Sequence, residues 1–372
     1  MKIIQIMDSL GVAGGVNSFV YDLCIALKDA GQDVTLIGII GDESKAKSQA
    51  MAVREAGIQV HCLCMPGKKQ AIATGIPKLR KLIKEIGGRE QTICNLHLKL
   101  SVLMGGLATI GMQNVKCVET YHSQYSHYNF EYSLMKGRIC KYIPCSESAG
   151  KEMQTRFHVP VQKLQVIPNG IDSSGLRRIA GKKEIHEGVR ILSVGRMTKQ
   201  KNYPVSVEAF REICNDSIVY QIIGEGEDKK TLISLAQGNT GVQFLGIMSR
   251  EKVVKYTNNA DLILMPSLWE GLSIYLLEAM SLGKPLMLSN IPSFTGIVGE
   301  ELLKDGESWR CCSWGYLVET SSVEAYKEAV QHYLLNKKMW SDMGKASERI
   351  AQGYDIHKTA EQYVATYLSV LK

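Results

Sequence analysis

At 372 residues the chain is long for a single core and suits two domains of ordinary size. Its 45% hydrophobic and 22% charged residues exclude a disordered or fibrous class, and no apolar run approaches the about eighteen residues of a spanning helix. The net charge of +7 is uneven: residues 1–180 carry 22 Lys and Arg against 14 Asp and Glu, residues 181–372 carry 22 against 23, so the basic excess belongs to the first half.

Such an excess can serve nucleic acid, anionic lipid or solubility alone, and the lack of aromatic residues interleaved with it argues against nucleic acid. Ten cysteines scattered through apolar segments suit reduced, buried thiols, and neither Cys62-Leu63-Cys64 nor Cys311-Cys312 has the paired spacing of a zinc site. The start, Lys2 to Asp8, reads as a strand and is too soon charged for a signal peptide, so a cytoplasmic location is expected.

In chain order, a strand at Ile3–Met7 runs into Asp8 to Val16, a glycine-rich turn, and then a helix with Phe19, Leu23, Ala26 and Leu27 on one stripe. The spacing is not G-x-G-x-x-G, so the turn fits a ligand loop or a plain tight turn. A strand at 33–40, a helix from Ser44 to Ala56 and a strand at 59–63 continue the alternation that implies a parallel sheet covered by helices on both faces. The helix Pro77 to Ile86 sets Leu79, Leu82, Ile83 and Ile86 opposite Lys78, Arg80, Lys81 and Lys84; with Lys68, Lys69 and Arg89, that basic face suits anionic headgroups as well as plain solvation. His122 lies in a Tyr-rich loop, Glu119 to Tyr125, after a strand at 115–118, beyond the carboxyl end where open sheets bind ligands; a packed surface histidine fits the same pattern.

Ser173 to Gly188 is polar, glycine-dotted and aperiodic, and reads as a linker. A second alternating half opens with a strand at 189–195 and the loop Gly195 to Asn202, where Arg196 and Lys201 offer a planar fork and a point charge to a diphosphate. Pro204 then opens a helix. The strand at 262–265 is apolar throughout and closed by Pro266; Glu270, Gly271, Leu272 and Ser273 follow, with Ser273 as N-cap of a helix carrying Glu278. The free N–H groups of Leu272, Ser273 and Ile274 make a positive helix terminus that can hold phosphate without a metal.

The stretch Glu270 to Glu278 resembles the E-x7-E motif of the retaining GT-B glycosyltransferases, in particular glycosyltransferase family 4. Its flanks, Asn259-Ala260-Asp261 and Ser281 to Pro285, are similar too, as are Val166 to Asp172 and the strand-then-glycine step at Tyr220 to Gly226. The chain departs from the common Gly-Phe-Gly with Gly271-Leu272-Ser273. The resemblance implies a GT-B fold, α/β, with two Rossmann-like doubly wound parallel-sheet domains facing each other across a cleft. These are an acceptor domain at 1–172, a linker at 173–188 acting as a hinge, a donor domain at 189–356, and a last helix, about 357–372, crossing back onto the first. It implies that Glu270 contacts donor-sugar hydroxyls, Glu278 the ribose, Arg196 and Lys201 the phosphates and His122 the donor sugar, while Gly14 and Gly15 close over the phosphates.

The expected activity is retaining transfer of a sugar from a nucleotide diphosphate sugar, UDP first among them, to a lipid-linked or growing polysaccharide acceptor, as in capsule, exopolysaccharide or lipopolysaccharide assembly. Partners are then the donor, the acceptor and an anionic membrane surface at the inner face, with no nucleic acid. No Asp-x-Asp occurs, so no metal and no cofactor are expected. A sugar-nucleotide epimerase would need further carboxylates at the site, a phosphorylase a much longer chain, and a non-catalytic nucleotide-binding protein remains the alternative from another class.

Overall fold

The computed structural model describes residues 1–11, 14–42, 50–122 and 134–372. They form two compact units, Met1–Ile171 with Ile356–Lys372, and Asp172–Asp355.

The first unit is built on a six-stranded parallel sheet: β1 (Lys2–Ser9), β2 (Asp33–Ile40), β3 (Gln59–Met65), β4 (Thr92–His97), β5 (Val115–Tyr121) and β6 (Ile139–Pro144), in the order β3-β2-β1-β4-β5-β6. The order reverses between β1 and β4, which makes the carboxyl ends of those strands the place where such sheets receive ligands. Helices α1 (Gly15–Asp29), α2 (Ile76–Gly87), α3 (Lys99–Ala108) and α4 (Glu147–Thr155) cover the sheet. Ile4, Ile6, Cys94, Leu96, Cys117 and Tyr121 point to the α2–α3 side and are buried. The opposite side is covered by α1 and by the C-terminal helix, Ile356–Leu371.

The strand β5 extends three residues past the expected end at Val118, because Glu119, Thr120 and Tyr121 keep pairing with β4 and β6; only His122 leaves the ladder. Of the expected helix from Ser44 to Ala56, Met51–Glu55 is helical and residues 43–49 lie outside the described residues, as does the loop from Ser123 to Tyr125. The basic face of α2 is smaller than its sequence suggests. Arg80 turns inward and donates to Ala108 O at 2.8 Å and Ile110 O at 2.6 Å, and Arg138 donates to Thr109 O, so two guanidinium groups satisfy the carbonyls at the end of α3.

The second unit begins with a helix where a linker was expected: α5 (Ser173–Ala180) is capped by Asp172, whose carboxylate accepts from Gly175 N at 2.9 Å. Leu176 and Ala180 are its buried stripe, and with Ile179 the only other apolar residue, eight residues are too short a window to show a period. Then come β7 (Val189–Val194), α6 (Tyr203–Phe210), β8 (Ile218–Ile223), β9 (Val242–Gly246), α7 (Arg250–Asn259), β10 (Leu262–Met265), α8 (Ile274–Ser281), β11 (Leu286–Ser289), β12 (Trp309–Cys312), β13 (Gly315–Val318) and α9 (Trp340–Ala351). The sheet order is β12-β13-β11-β10-β7-β8-β9, parallel except for the antiparallel pair β12–β13. Its order reverses between β7 and β10, and both Arg196 and Glu270 follow those two strands.

Candidate active site

The loops leaving β7, β8 and β10 are tied together by backbone contacts. Gly195 N donates to Ile223 O and Met197 N to Glu225 O, while Asp228 N donates to Met197 O, so the loop after β7 lies directly on the loop after β8. This approach requires glycine. Gly224 has φ +142, and a Cβ there would stand 2.0 Å from Gly195 O; one on Gly226 would stand 2.1 Å from Met197 O. Between these contacts Met197 is fully buried and Arg196 is exposed; its carbonyl accepts from Thr198 N, and its guanidinium has no hydrogen bond or ion pair among the described residues.

The same loop continues through a single 3₁₀ turn, Lys199–Lys201, to Asn202, whose left-handed backbone (φ 52) starts α6. That turn is joined to the loop after β10: Leu268 N donates to Gln200 O at 2.8 Å and Gln200 Nε2 to Trp269 O at 3.0 Å. The result brings Lys201 Nζ to 2.5 Å from Glu270 Oε1. Ser267 Oγ donates to the same oxygen at 2.7 Å, and Ser267 is fixed in turn because its carbonyl accepts from Ser289 Oγ. Glu270 is 6% exposed, yet among the described residues its Oε2 has no partner. A buried carboxylate with one oxygen neutralised and one open is suited to receive hydroxyl groups.

Gly271, Leu272 and Ser273 lead into α8. Ser273 is its N-cap, with Oγ accepting from Leu276 N. No hydrogen bond among the described residues occupies the N–H groups of Leu272, Ser273 or Ile274. Glu278, in the second turn of α8 and 7% exposed, pairs with Arg250 Nη2 at 3.1 Å. Arg250 is the first residue of α7, positioned by the N-cap Ser249. In the second unit, therefore, Arg196, Lys201, Glu270, Gly271, Leu272, Ser273 and Glu278 all lie at one edge of the sheet, the carboxyl ends of its parallel strands.

Ser267 and Arg250 are the two members that sequence reasoning did not assign. Arg250 is legible in sequence only as a cation after a capping serine, and its partner is 28 residues away.

In the first unit, Gly14 (φ 139) precedes α1, and Gly15 is its first residue. His122 follows β5 and packs edge-on against Phe19 of α1, ring centroids 5.6 Å apart. His122 is half-buried as a residue, and among the described residues its Nδ1 is buried without a hydrogen-bond partner. Burial depresses the His122 pKa to about 3 and holds His97 well below the ordinary histidine range, so both rings are neutral at physiological pH. His97, which sequence reasoning passed over, lies 2.9 Å from His122.

Residues 13–174 match the family described as Glycosyltransferase Family 4, and residues 177–350 match the one described as Glycosyl transferases group 1. The chain belongs to the family 4 type of GT-B glycosyltransferases. Among curated relatives, the UDP-Gal:alpha-D-GlcNAc-diphosphoundecaprenol alpha-1,3-galactosyltransferase of Escherichia coli is 26% identical over 243 residues. The match covers 61% of this chain and 60% of that enzyme, less than two thirds of its length. An uncharacterized glycosyltransferase of Haemophilus influenzae is 22% identical over 363 residues, covering 95% of this chain and 96% of the relative. The GT-B fold is shared with solved structures such as Anabaena HepE in complex with UDP and glucose, at a TM-score of 0.76 and 15% identity over 99% of this chain and all of that one.

Proposed function

We propose that this glycosyltransferase moves a sugar from a UDP-sugar to a hydroxyl of a lipid-linked or growing polysaccharide acceptor, with retention at the anomeric carbon and without a metal. The observation that carries the reading is the constellation at one edge of the second sheet: an Arg196 guanidinium and a helix terminus at Leu272–Ile274 that no group among the described residues occupies, Lys201 fixed by Glu270, and Glu278 beyond them. Diphosphate charge develops as the bond from the anomeric carbon to the phosphate oxygen breaks. Arg196, Lys201 and the helix terminus supply a preorganised positive field for it. The acceptor oxygen forms the new bond on the same face, and its proton passes to the departing phosphate oxygen. Glu270 Oε2 holds donor-sugar hydroxyls and Glu278 the ribose. A donor of the UDP class is supported by HepE, solved with UDP and glucose, and a lipid-linked acceptor by the diphosphoundecaprenol-linked sugar on which the Escherichia coli relative acts.

The test is transfer from a panel of UDP-sugars to an undecaprenyl-diphosphate-linked saccharide, with EDTA present and the product's anomeric configuration read by NMR. Transfer with retention in EDTA is expected. Inversion, or transfer only after added magnesium, would sink the corresponding part of the reading.

We extend the proposal to the membrane surface. Among the described residues no helix is long and apolar enough to cross a membrane. On the first unit, however, Lys68, Lys69, Lys78 and Lys81 are exposed along one helical run, and Ile72, 43% exposed, lies one turn after Lys68 and Lys69, which suits an anionic headgroup layer. At about 1 kcal/mol per basic residue near the surface, replacing Lys68, Lys69, Lys78 and Lys81 by Gln should release the protein from phosphatidylglycerol vesicles in a sedimentation assay. Unchanged sedimentation would remove this surface from the account.

A further inference from the structure

The expectation of buried thiols fails on β3. Cys94 and Cys117 fit it: they are register partners on β4 and β5, enclosed in the core, and burial pushes both thiols up, that of Cys117 to about 11. Cys62 and Cys64 do not, because β3 is an edge strand of the first sheet, where Cys64 is exposed and Cys62 half-buried. Thiol reactivity follows thiolate character and solvent access, so the second pair is open to chemistry and the first is not.

The backbone of β3 turns these two side chains toward each other. Its register with β2 runs Ile37 with His61 and Gly38 with Cys62, then slips to Ile40 with Met65, so Leu63 and Cys64 together stand opposite Ile39. That is a bulge. Within it Cys64 takes a left-handed backbone, φ 53, a conformation that is costly for any residue with a Cβ and that re-aims its side chain relative to the preceding peptide. The result is a double tie: Cys64 N donates to Cys62 Sγ at 3.2 Å, and Cys64 Sγ donates to Cys62 O at 3.6 Å. Each sulfur lies against the backbone of the other residue, so the two side chains converge, as a disulfide requires. Cys311 and Cys312, adjacent on β12, instead alternate between its two faces. Among the described residues no group of three or more His, Cys, Asp or Glu could hold a metal ion, which separates the pair on β3 from a zinc cage.

We propose that Cys62 and Cys64 form a thiol–disulfide exchange site for small disulfides of the glutathione class. The exposed Cys64 thiolate attacks one sulfur of glutathione disulfide, whose S–S bond breaks and releases one glutathione. Cys62 gives its proton to solvent and attacks Cys64 Sγ, and the second glutathione leaves and takes up a proton. Two protein thiols are oxidised to one disulfide, and one glutathione disulfide is reduced to two glutathione molecules. This inference does not depend on the sugar-transfer reading.

The experiment uses the reduced, full-length protein in graded ratios of glutathione disulfide to glutathione, quenched with N-ethylmaleimide under denaturing conditions and read by peptide mass. The tryptic peptide Glu55 to Lys68 holds Cys62 and Cys64 and no other cysteine. It should appear unalkylated and lighter by two hydrogens at ratios that leave Cys94 and Cys117 fully alkylated, and dithiothreitol should reverse the change. In Cys62→Ser the Cys64–glutathione adduct has no thiol to resolve it and should accumulate to about tenfold or more above its wild-type level. Thermal melts confirm that the proteins are folded. A pair that stays alkylated at every ratio, a wild-type protein that stops at the Cys64 adduct, or a disulfide that forms only in urea would overturn the assignment.

Discussion

Lys201→Met is expected to cost on the order of 10²–10³ in the rate of sugar transfer, the usual effect of removing one preorganised charge from a developing anion. It is also expected to destabilise the second unit more than Glu270→Gln does. The two partners are unequally placed: the side chain of Lys201 is 18% exposed and that of Glu270 is 8% exposed. Without Glu270, the long Lys201 stem can swing its ammonium toward water. Without Lys201, the Glu270 carboxylate keeps only Ser267 as a donor at Oε1 and stays buried. Breaking a buried pair from one side typically costs about 3–5 kcal/mol, whereas removing both charges costs much less. The double variant Lys201→Met/Glu270→Gln should therefore recover part of the lost stability in urea unfolding and none of the activity. Recovery of both together would show that the pair is a structural strut, and the phosphate role would fall.

Glu119 should make the protein less stable as pH rises through neutrality. The residue is 1% exposed, shares a strand face with Cys117 and Tyr121, and among the described residues has no partner for Oε2. Burial alone pushes its pKa up to about 8 from 4.5. Between those values the folded chain holds a proton that the unfolded chain releases, so unfolding becomes easier as pH increases. Full stability is present below about pH 4.5 and is lost on approaching pH 8, a change of roughly 4–5 kcal/mol at about 1.4 kcal/mol per unit. Glu119→Gln is neutral throughout. The gap between the two proteins in urea-unfolding free energy should be small at pH 4.5 and widen steadily to pH 8, with all other titrations common to both. Parallel curves would mean that the carboxyl finds a partner on ionising.

The fold was legible wherever burial follows a simple period. β2 and β10 are apolar runs bounded by charge or proline, and the structure places them at the residues read from sequence. β4 was passed over because Thr92 and Asn95 sit within it and His97 at its end: its inward face is polar, satisfied by Gln5 and Thr120 from neighbouring strands, and no local pattern announces partners 90 and 25 residues away. The helix α5 was hidden for a related reason, since its cap and its first residues are the polar Asp172, Ser173 and Ser174, which read as loop until the hydrogen bond to Gly175 is seen.

The candidate site divides along the same line. Glu270, Ser273 and Glu278 share one short segment, and the cap at Ser273 follows from local chemistry alone. The pairing of Lys201 with Glu270 spans 69 residues, and it depends on Gln200 joining the two loops. Arg80 reads as a surface cation because helical spacing cannot show that a long side chain folds back onto the end of a neighbouring helix.

The central claim is that the second unit binds a uridine diphosphate through these groups, and a calorimetric titration of UDP in EDTA-containing buffer tests it most directly. The account predicts saturable binding by the wild type, at least tenfold weaker binding by Glu278→Ala and by Arg196→Gln, and little response to magnesium. Absence of binding by a folded wild-type protein, or equal affinity in both variants, would contradict it.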